Sequence, residues 1–306
     1  MMKVLKQYGL GCYAALVRAN VHFPGKWRLR RHTLAALRRP SGPRGRKTVR
    51  TTDGFLMELD LSDYVDQHIY ATGTYETMVR EILKRTLQRD GFFIDIDANI
   101  GYFTLLGAQC EGKNGRVLAF EPVTSTRSRL VRNCDLNGCV NISVRRQAAS
   151  DVTGDASINI GPREHSGISS LRPLETCGTT EEIETIRLDE LLSVDDPPSI
   201  IKIDVEGAEM CVLRGLSALL GQWGESAPCL VLELSPAFLK VFGDNAADLV
   251  SQLQQLGYSC YRIEWDRIKL LANVDAHGNA QFNIVAFPGS PPATLSDLVD
   301  VNGASV

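Results

Sequence analysis

Through the middle of the chain, apolar residues come in short unbroken runs rather than in alternation. Each run is followed by a stretch in which apolar positions recur at helical spacing. This pattern reads as strands buried on both faces, separated by helices. It predicts strands at Phe92–Asp97, Arg116–Glu121, Ile142–Ala149, Ser199–Asp204 and Cys229–Leu234, with Ser259–Ile263 and Asn283–Phe287 completing the set. Helices are predicted from Gly101 to Gln109, Thr124 to Asn137, Ala208 to Leu220 and Ala246 to Leu256. A mostly parallel sheet with helices on both faces follows. Upstream, Met78, Ile82, Leu83 and Leu87 share one face of a helix over Tyr75–Arg89, capped by Gly73 or Thr74. Asp53-Gly54, between Thr48–Thr52 and Phe55–Leu61, signals a hairpin.

Four segments emerge: a basic helical arm (1–47) broken at Pro24-Gly25, a β-hairpin lead-in (48–72), the α/β domain (73–288) and a loose tail (289–306). Charge separates the first from the rest. Residues 1–50 hold 13 Lys and Arg and no acid, leaving 20 basic against 36 acidic residues beyond them. Such an arm suits peripheral contact with an anionic membrane or another polyanion, or docking on its own acidic body. No strong nucleic-acid signal accompanies it. No run approaches the ~20 apolar residues of a membrane span. The eight cysteines are scattered without a C-x-x-C pair, which suits reduced thiols and a cytoplasmic protein, peripheral to a membrane if the arm binds one.

In an open parallel sheet, ligands gather at the carboxyl ends of the strands near the switch in strand order. There the chain reads Asp95-Ile96-Asp97-Ala98-Asn99-Ile100-Gly101 between the first strand and its helix, a turn suited to close approach of a nucleotide-like ligand. Glu121 ends the next strand, placed to accept hydrogen bonds from ribose hydroxyls, with Pro122 after it. Each residue also has a plain structural role open to it: Asn99 as a helix cap, Asp95 and Glu121 as ordinary strand ends.

Phe93-Ile94-Asp95-Ile96-Asp97-Ala98-Asn99-Ile100-Gly101-Tyr102-Phe103-Thr104, Ala119-Phe120-Glu121-Pro122 and Ile201-Lys202-Ile203-Asp204-Val205-Glu206-Gly207-Ala208-Glu209 together resemble the motifs of FkbM-type methyltransferases. Smaller echoes are Thr74-Tyr75-Glu76, Ser169-Ser170-Leu171, Arg187–Leu191 and the strand at Asn283. The resemblance implies a class I methyltransferase Rossmann-like sheet with an antiparallel last strand. It also implies S-adenosyl-L-methionine as cofactor and a hydroxyl on a sugar, polyketide or related metabolite as acceptor. By the same resemblance Asp95, Asp97, Ala98, Asn99, Gly101, Glu121, Pro122 and Asp204 would hold the cofactor, and Glu76 would help line the pocket. One position departs: the family pattern has glycine where this chain has Asp97. Its carboxylate either pairs with the ammonium of the methionine moiety or crowds the pocket. Asp tolerates the left-handed region better than most residues, which favours retained binding.

Lys202, Asp204 and Glu206 alternate at the end of an apolar strand, so they share a face if the strand extends that far. Asp204 is the first candidate for the group that orients or deprotonates the acceptor, with Glu206, Glu209 and Lys202 as neighbours. A structural ion pair beside acids at a helix start would leave the same pattern. His165, in the long polar insertion, is a lesser candidate as a lid residue. No His/Cys spacing marks a metal site. Two other readings stand beside the O-methyltransferase: a module that binds the cofactor without turnover, and a nucleotide-dependent oxidoreductase, against which the lack of G-x-G-x-x-G argues.

Overall fold

The computed structural model describes residues 2–18, 26–39, 41–162, 164, 168–172, 179–271 and 280–300, with side chains from Leu10 in the first helix and Arg28 in the second. His165 and the break at Pro24-Gly25 lie outside the described residues.

Helices α1 (Met2–Arg18) and α2 (Lys26–Leu37) precede the hairpin of β1 (Arg46–Arg50) and β2 (Leu56–Asp60). The hairpin pairs antiparallel, Arg46 opposite Asp60. A helix the sequence pattern did not reveal follows, α3 (Tyr64–Thr72). The Asp63 carboxylate caps it by accepting from the Val65 and Asp66 N–H groups, and Gly73 ends it in the left-handed region. α4 spans Thr77–Thr86, shorter than expected, and Glu76 rather than Gly73 or Thr74 stands at its N-cap.

The central domain alternates β3 (Phe92–Ile96), α5 (Tyr102–Glu111), β4 (Arg116–Phe120), α6 (Thr124–Leu136) and β5 (Ile142–Arg145). The single strand expected at Ile142–Ala149 is broken. Its second part, β6 (Ala148–Ala149), joins β7 (Gly154–Ile160) and β8 (Thr179–Ile186) in a separate small sheet. The polar break explains this: Arg146 and Gln147 both bind Glu184 of that sheet, at 2.6 and 3.0 Å. Next come β9 (Ile200–Ile203), α7 (Glu209–Arg214), α8 (Ser217–Trp223), β10 (Cys229–Leu234), α9 (Pro236–Val241), α10 (Ala246–Gln255), β11 (Tyr258–Ile263), β12 (Ile268–Leu270), β13 (Phe282–Pro288) and β14 (Val299–Asp300). The helix expected over Ala208–Leu220 is two helices. They part at Gly215, where a Cβ would lie 2.1 Å from the Ser150 carbonyl oxygen.

The main sheet has the order β14-β12-β11-β13-β10-β9-β3-β4-β5. Strands β5, β4, β3, β9 and β10 run parallel, while β13 enters antiparallel between β10 and β11. This is the class I methyltransferase arrangement. The tail expected to be loose is not so over 289–300: β14 pairs with β12, and Asp297 meets Arg85 at 2.6 Å.

Successive strand residues go to opposite faces. Phe93, Val117, Ile200 and Val231 pack with Ile82, Leu83 and Leu106, whereas Ile94, Leu118, Ile201 and Leu230 pack with Leu213, Leu220 and Leu249. Both faces are covered, which is why the runs show no alternation. The basic arm lies on α3, with the Arg18 guanidinium 4.9 Å from the centre of the Tyr70 ring and Arg30 Nη2 3.2 Å from His68 Nε2. None of the described helices is long and apolar enough to cross a membrane.

Candidate active site

The strand order switches between the parallel neighbours β3 and β9, and a cavity of about 390 Å³ opens at the carboxyl ends of those two strands. Asp95, Asp97, Ala98 and Asn99 reach it from β3 and the following turn, Lys202, Asp204 and Glu206 from β9, and Glu233 from β10. Its outer wall is aromatic and basic, with Arg38 of the arm, Tyr64 and His68 of α3, Tyr75 and Phe103. Tyr75 packs edge-on against His68 and Tyr102, centroids 5.8 and 6.4 Å away.

Strained backbone concentrates here. Five described non-glycine residues have positive φ, and four of them, Glu76 (37°), Asp97 (62°), Asn99 (49°) and Glu206 (50°), carry chain around the cavity. Such conformations persist where surrounding structure imposes them. Gly207 turns the chain at φ 102°, where a Cβ would sit 2.8 Å from the Phe238 backbone.

Lys202 is buried and donates to Asp204 Oδ2 at 2.8 Å, with its ammonium 5.1 Å from the centre of the Phe103 ring. Burial works to raise the Asp204 carboxyl, but Lys202 overrides it and holds Asp204 below the usual range. Glu233, a functional candidate that sequence reasoning missed, is hydrogen-bonded to Asp204, and burial with the Asp204 charge pushes it up to about 11. Glu233 is therefore the proton donor and Asp204 the ionised acceptor. Opposite Glu233 in the strand register is Asn283, whose Nδ2 donates to Glu76 Oε1 at 3.3 Å. Burial, then Asp204, lifts Glu206 to about 9, and its Oε2 has no partner. Glu209 lies apart: it caps its own turn, accepting from the Gly207 N–H at 3.0 Å.

The expected cofactor residues divide in the same way. Asp95 is 1% exposed; its Oδ2 accepts from Thr104 at 2.6 Å, and its Oδ1 is unpartnered beside the cavity. Asn99 does not cap α5. Gly101 holds that position without a side-chain bond, and Asn99 Oδ1 is also unpartnered. The free first-turn N–H groups of α5 suit an anion. Glu121 lines neither this cavity nor a second, apolar slot formed by Ile96, Phe120, Pro122, Ala149, Val205 and Ala208. Asp97 borders both. The slot now holds about 20 Å³, so a purine enters only as its walls spread. Among the described residues, no group of three or more His, Cys, Asp or Glu is arranged to hold a metal ion.

Five carboxyls against Lys202 and Arg38 make this a cavity for a cationic ligand. An orphaned, buried Asp95 oxygen fits a donor such as an ammonium. The methyltransferase FkbM domain profile matches residues 95–260. The chain belongs to the FkbM methyltransferase family, and S-adenosylmethionine is its cofactor. Asp95 and Asn99 line the acidic cavity, Pro122 lines the apolar slot, and Asp97 lies between the two. The chain is 32% identical over 147 residues to a hexuronic acid methyltransferase, AglP, of Haloferax volcanii, covering 47% of this chain and 58% of the relative. It is 27% identical over 149 residues to Methyltransferase 1 of Beauveria bassiana, covering 42% and 59%. Each match thus spans less than two thirds of the relative's length. Among solved structures, it is similar to an O-methyltransferase of Thermotoga maritima (TM-score 0.40, 12% identity, 82% and 80% coverage). An rRNA methylase of Streptococcus thermophilus gives 0.43, 11%, 70% and 95%. At these values neither likeness bears on what this chain does.

Proposed function

We propose that the chain transfers the methyl group of S-adenosylmethionine to a hydroxyl of a sugar. The observation that carries this is Asp204: an ionised carboxylate on the cavity wall, held by Lys202 at 2.8 Å and by protonated Glu233. The aromatic wall of Tyr64, Tyr75 and Phe103 suits the C–H face of a sugar ring, and the hexuronic acid methyltransferase relative supports that acceptor class.

When bound, the cofactor supplies an electrophilic methyl on a sulfonium, so the protein's work is alignment and proton removal. Asp204 accepts the hydrogen bond of the acceptor hydroxyl, aiming a lone pair at the methyl carbon. With the methyl given up by the sulfonium, which would leave as the neutral thioether, the proton of the newly methylated hydroxyl passes to Asp204. Lys202 keeps Asp204 anionic until that moment, and Glu233 fixes its orientation.

The test is turnover of methyl-labelled S-adenosylmethionine with a panel of neutral sugar glycosides and uronides, with the product located by NMR. An O-methyl sugar is expected, and D204N should lower kcat by about 10²–10⁴-fold while S-adenosylhomocysteine affinity changes less than about threefold. An N- or C-methyl product, or full activity in D204N, overturns the reading.

A further inference from the structure

Sequence reasoning gave the ribose of the cofactor to Glu121, but the structure does not leave Glu121 free to take it. Glu121 is 2% exposed. Its Oε1 accepts from the Val123 N–H at 2.9 Å and its Oε2 from the Asn99 N–H at 3.0 Å. On the remaining side it is hydrogen-bonded to the Asp97 carboxyl. Asp97 keeps the left-handed backbone of the glycine it replaces (φ 62°), so the turn is preserved and only a side chain is added. That side chain stands where the two chambers meet: the apolar slot of Phe120, Pro122 and Val205 on one side, the acidic cavity of Asp95 and Asp204 on the other. S-Adenosylmethionine has an apolar base at one end and a charged amino acid at the other, with the ribose between. A molecule using both chambers passes its ribose across Asp97.

We infer that Asp97 has displaced Glu121 as the carboxyl that binds the ribose hydroxyls, Glu121 having become its support. Glu121 fixes the Asp97 carboxyl from behind, and Asn99 and Val123 fix Glu121, so the ribose meets an acid anchored through two backbone N–H groups. Burial followed by the Glu121 charge raises Asp97 well above the ordinary carboxyl range, which agrees with a proton held between the two acids. With that proton held between the two acids, the outer oxygen of Asp97 accepts from the ribose hydroxyls. The inference rests on the assignment of S-adenosylmethionine as cofactor.

The experiment pairs ligand and protein changes. Affinities of S-adenosylhomocysteine and its 2′-deoxy and 3′-deoxy forms are measured by calorimetry on the full chain and on D97N, which tolerates the left-handed backbone and keeps Glu121 covered. Loss of a hydroxyl bound by a charged or proton-sharing carboxyl should weaken binding roughly tenfold in the natural protein. In D97N that penalty should shrink to about threefold or less. In E121Q, whose side chain can still accept from one N–H, it should persist. An undiminished penalty in D97N overturns the inference, as does a penalty that vanishes in E121Q alone. If E121Q does not fold, D97N decides by itself. Failure of the natural protein to bind S-adenosylhomocysteine would instead remove the cofactor assignment beneath it.

Discussion

Asp97 shows how one residue can depart from a family pattern without disturbing the chain around it. Its φ of 62° is the conformation glycine would adopt, and Asp holds it at a cost of about 1 kcal/mol. D97G releases that strain and removes one carboxyl from an acidic pocket. Thermal melts without ligand should therefore show a Tm raised by about 2 °C for a chain of this size. A lower Tm would mean that the contact with Glu121 outweighs the strain. Glu233 illustrates the opposite case, a residue that could not be read in advance. A single acid near the end of Cys229–Leu234 looks like any strand end. Its meaning comes from Asp204 on the neighbouring strand, and no local spacing encodes that pairing.

Among the elements, the hairpin and α6 form one unit. Asn133 is fully buried; its Oδ1 accepts from the Glu58 N–H at 2.7 Å, and its Nδ2 donates to the Ile100 carbonyl at 2.9 Å. One side chain thus ties β2 to the turn that opens α5. N133A leaves both backbone groups unsatisfied and should cost about 2–3 kcal/mol in urea unfolding, with an unchanged m-value. A loss below about 0.5 kcal/mol would show that water replaces both bonds. Parallel strands were legible because burial on both faces demands continuous apolar runs, which turns and loops do not share. The breaks were not legible. The turn from β5 to β6 is set by Glu184, far along the chain, and α3 is a nine-residue helix whose cap Asp63 lies among other polar residues. In the site, Asp95, Asp97, Asn99, Lys202, Asp204 and Glu206 were legible from strand-end position and do meet in one cavity. Glu121 and Glu209 were equally conspicuous in sequence, yet both Glu121 oxygens and Oε1 of Glu209 are turned to local backbone N–H groups.

For the molecule as a whole, the buried acids set the response to pH. Burial is the leading cause that raises Glu76 to about 7, Glu121 to about 8, Glu206 to about 9 and Glu233 to about 11. Unfolded glutamates titrate near 4.3, so over this range the folded state binds more protons than the unfolded one. Their contribution to stability is complete below the unfolded value and is lost as pH climbs through the folded values. Without ligand, Tm should fall from pH 5 to pH 9, and a Tm that rises over that interval would contradict the protonated pocket. A cationic cofactor favours the ionised acids, so binding should release protons and tighten from pH 6 to pH 9. Calorimetry in buffers of different ionisation enthalpy measures this release directly. Affinity that ignores pH would place the positive charge away from these carboxyls.

The cavity is lined by residues both inside and outside the matched stretch 95–260. Its floor, from Asp95 to Tyr102 and from Lys202 to Glu206, lies within the matched residues 95–260. Of its outer wall, Arg38, Tyr64, Val65, His68 and Tyr75 lie before them and Phe103 within them. On the reading proposed here, the engine of the reaction and the part that chooses its customer are encoded in different places. The leading segment is then an exchangeable cassette: grafting another relative's front end onto this floor would redirect the acceptor while leaving the methyl donor untouched.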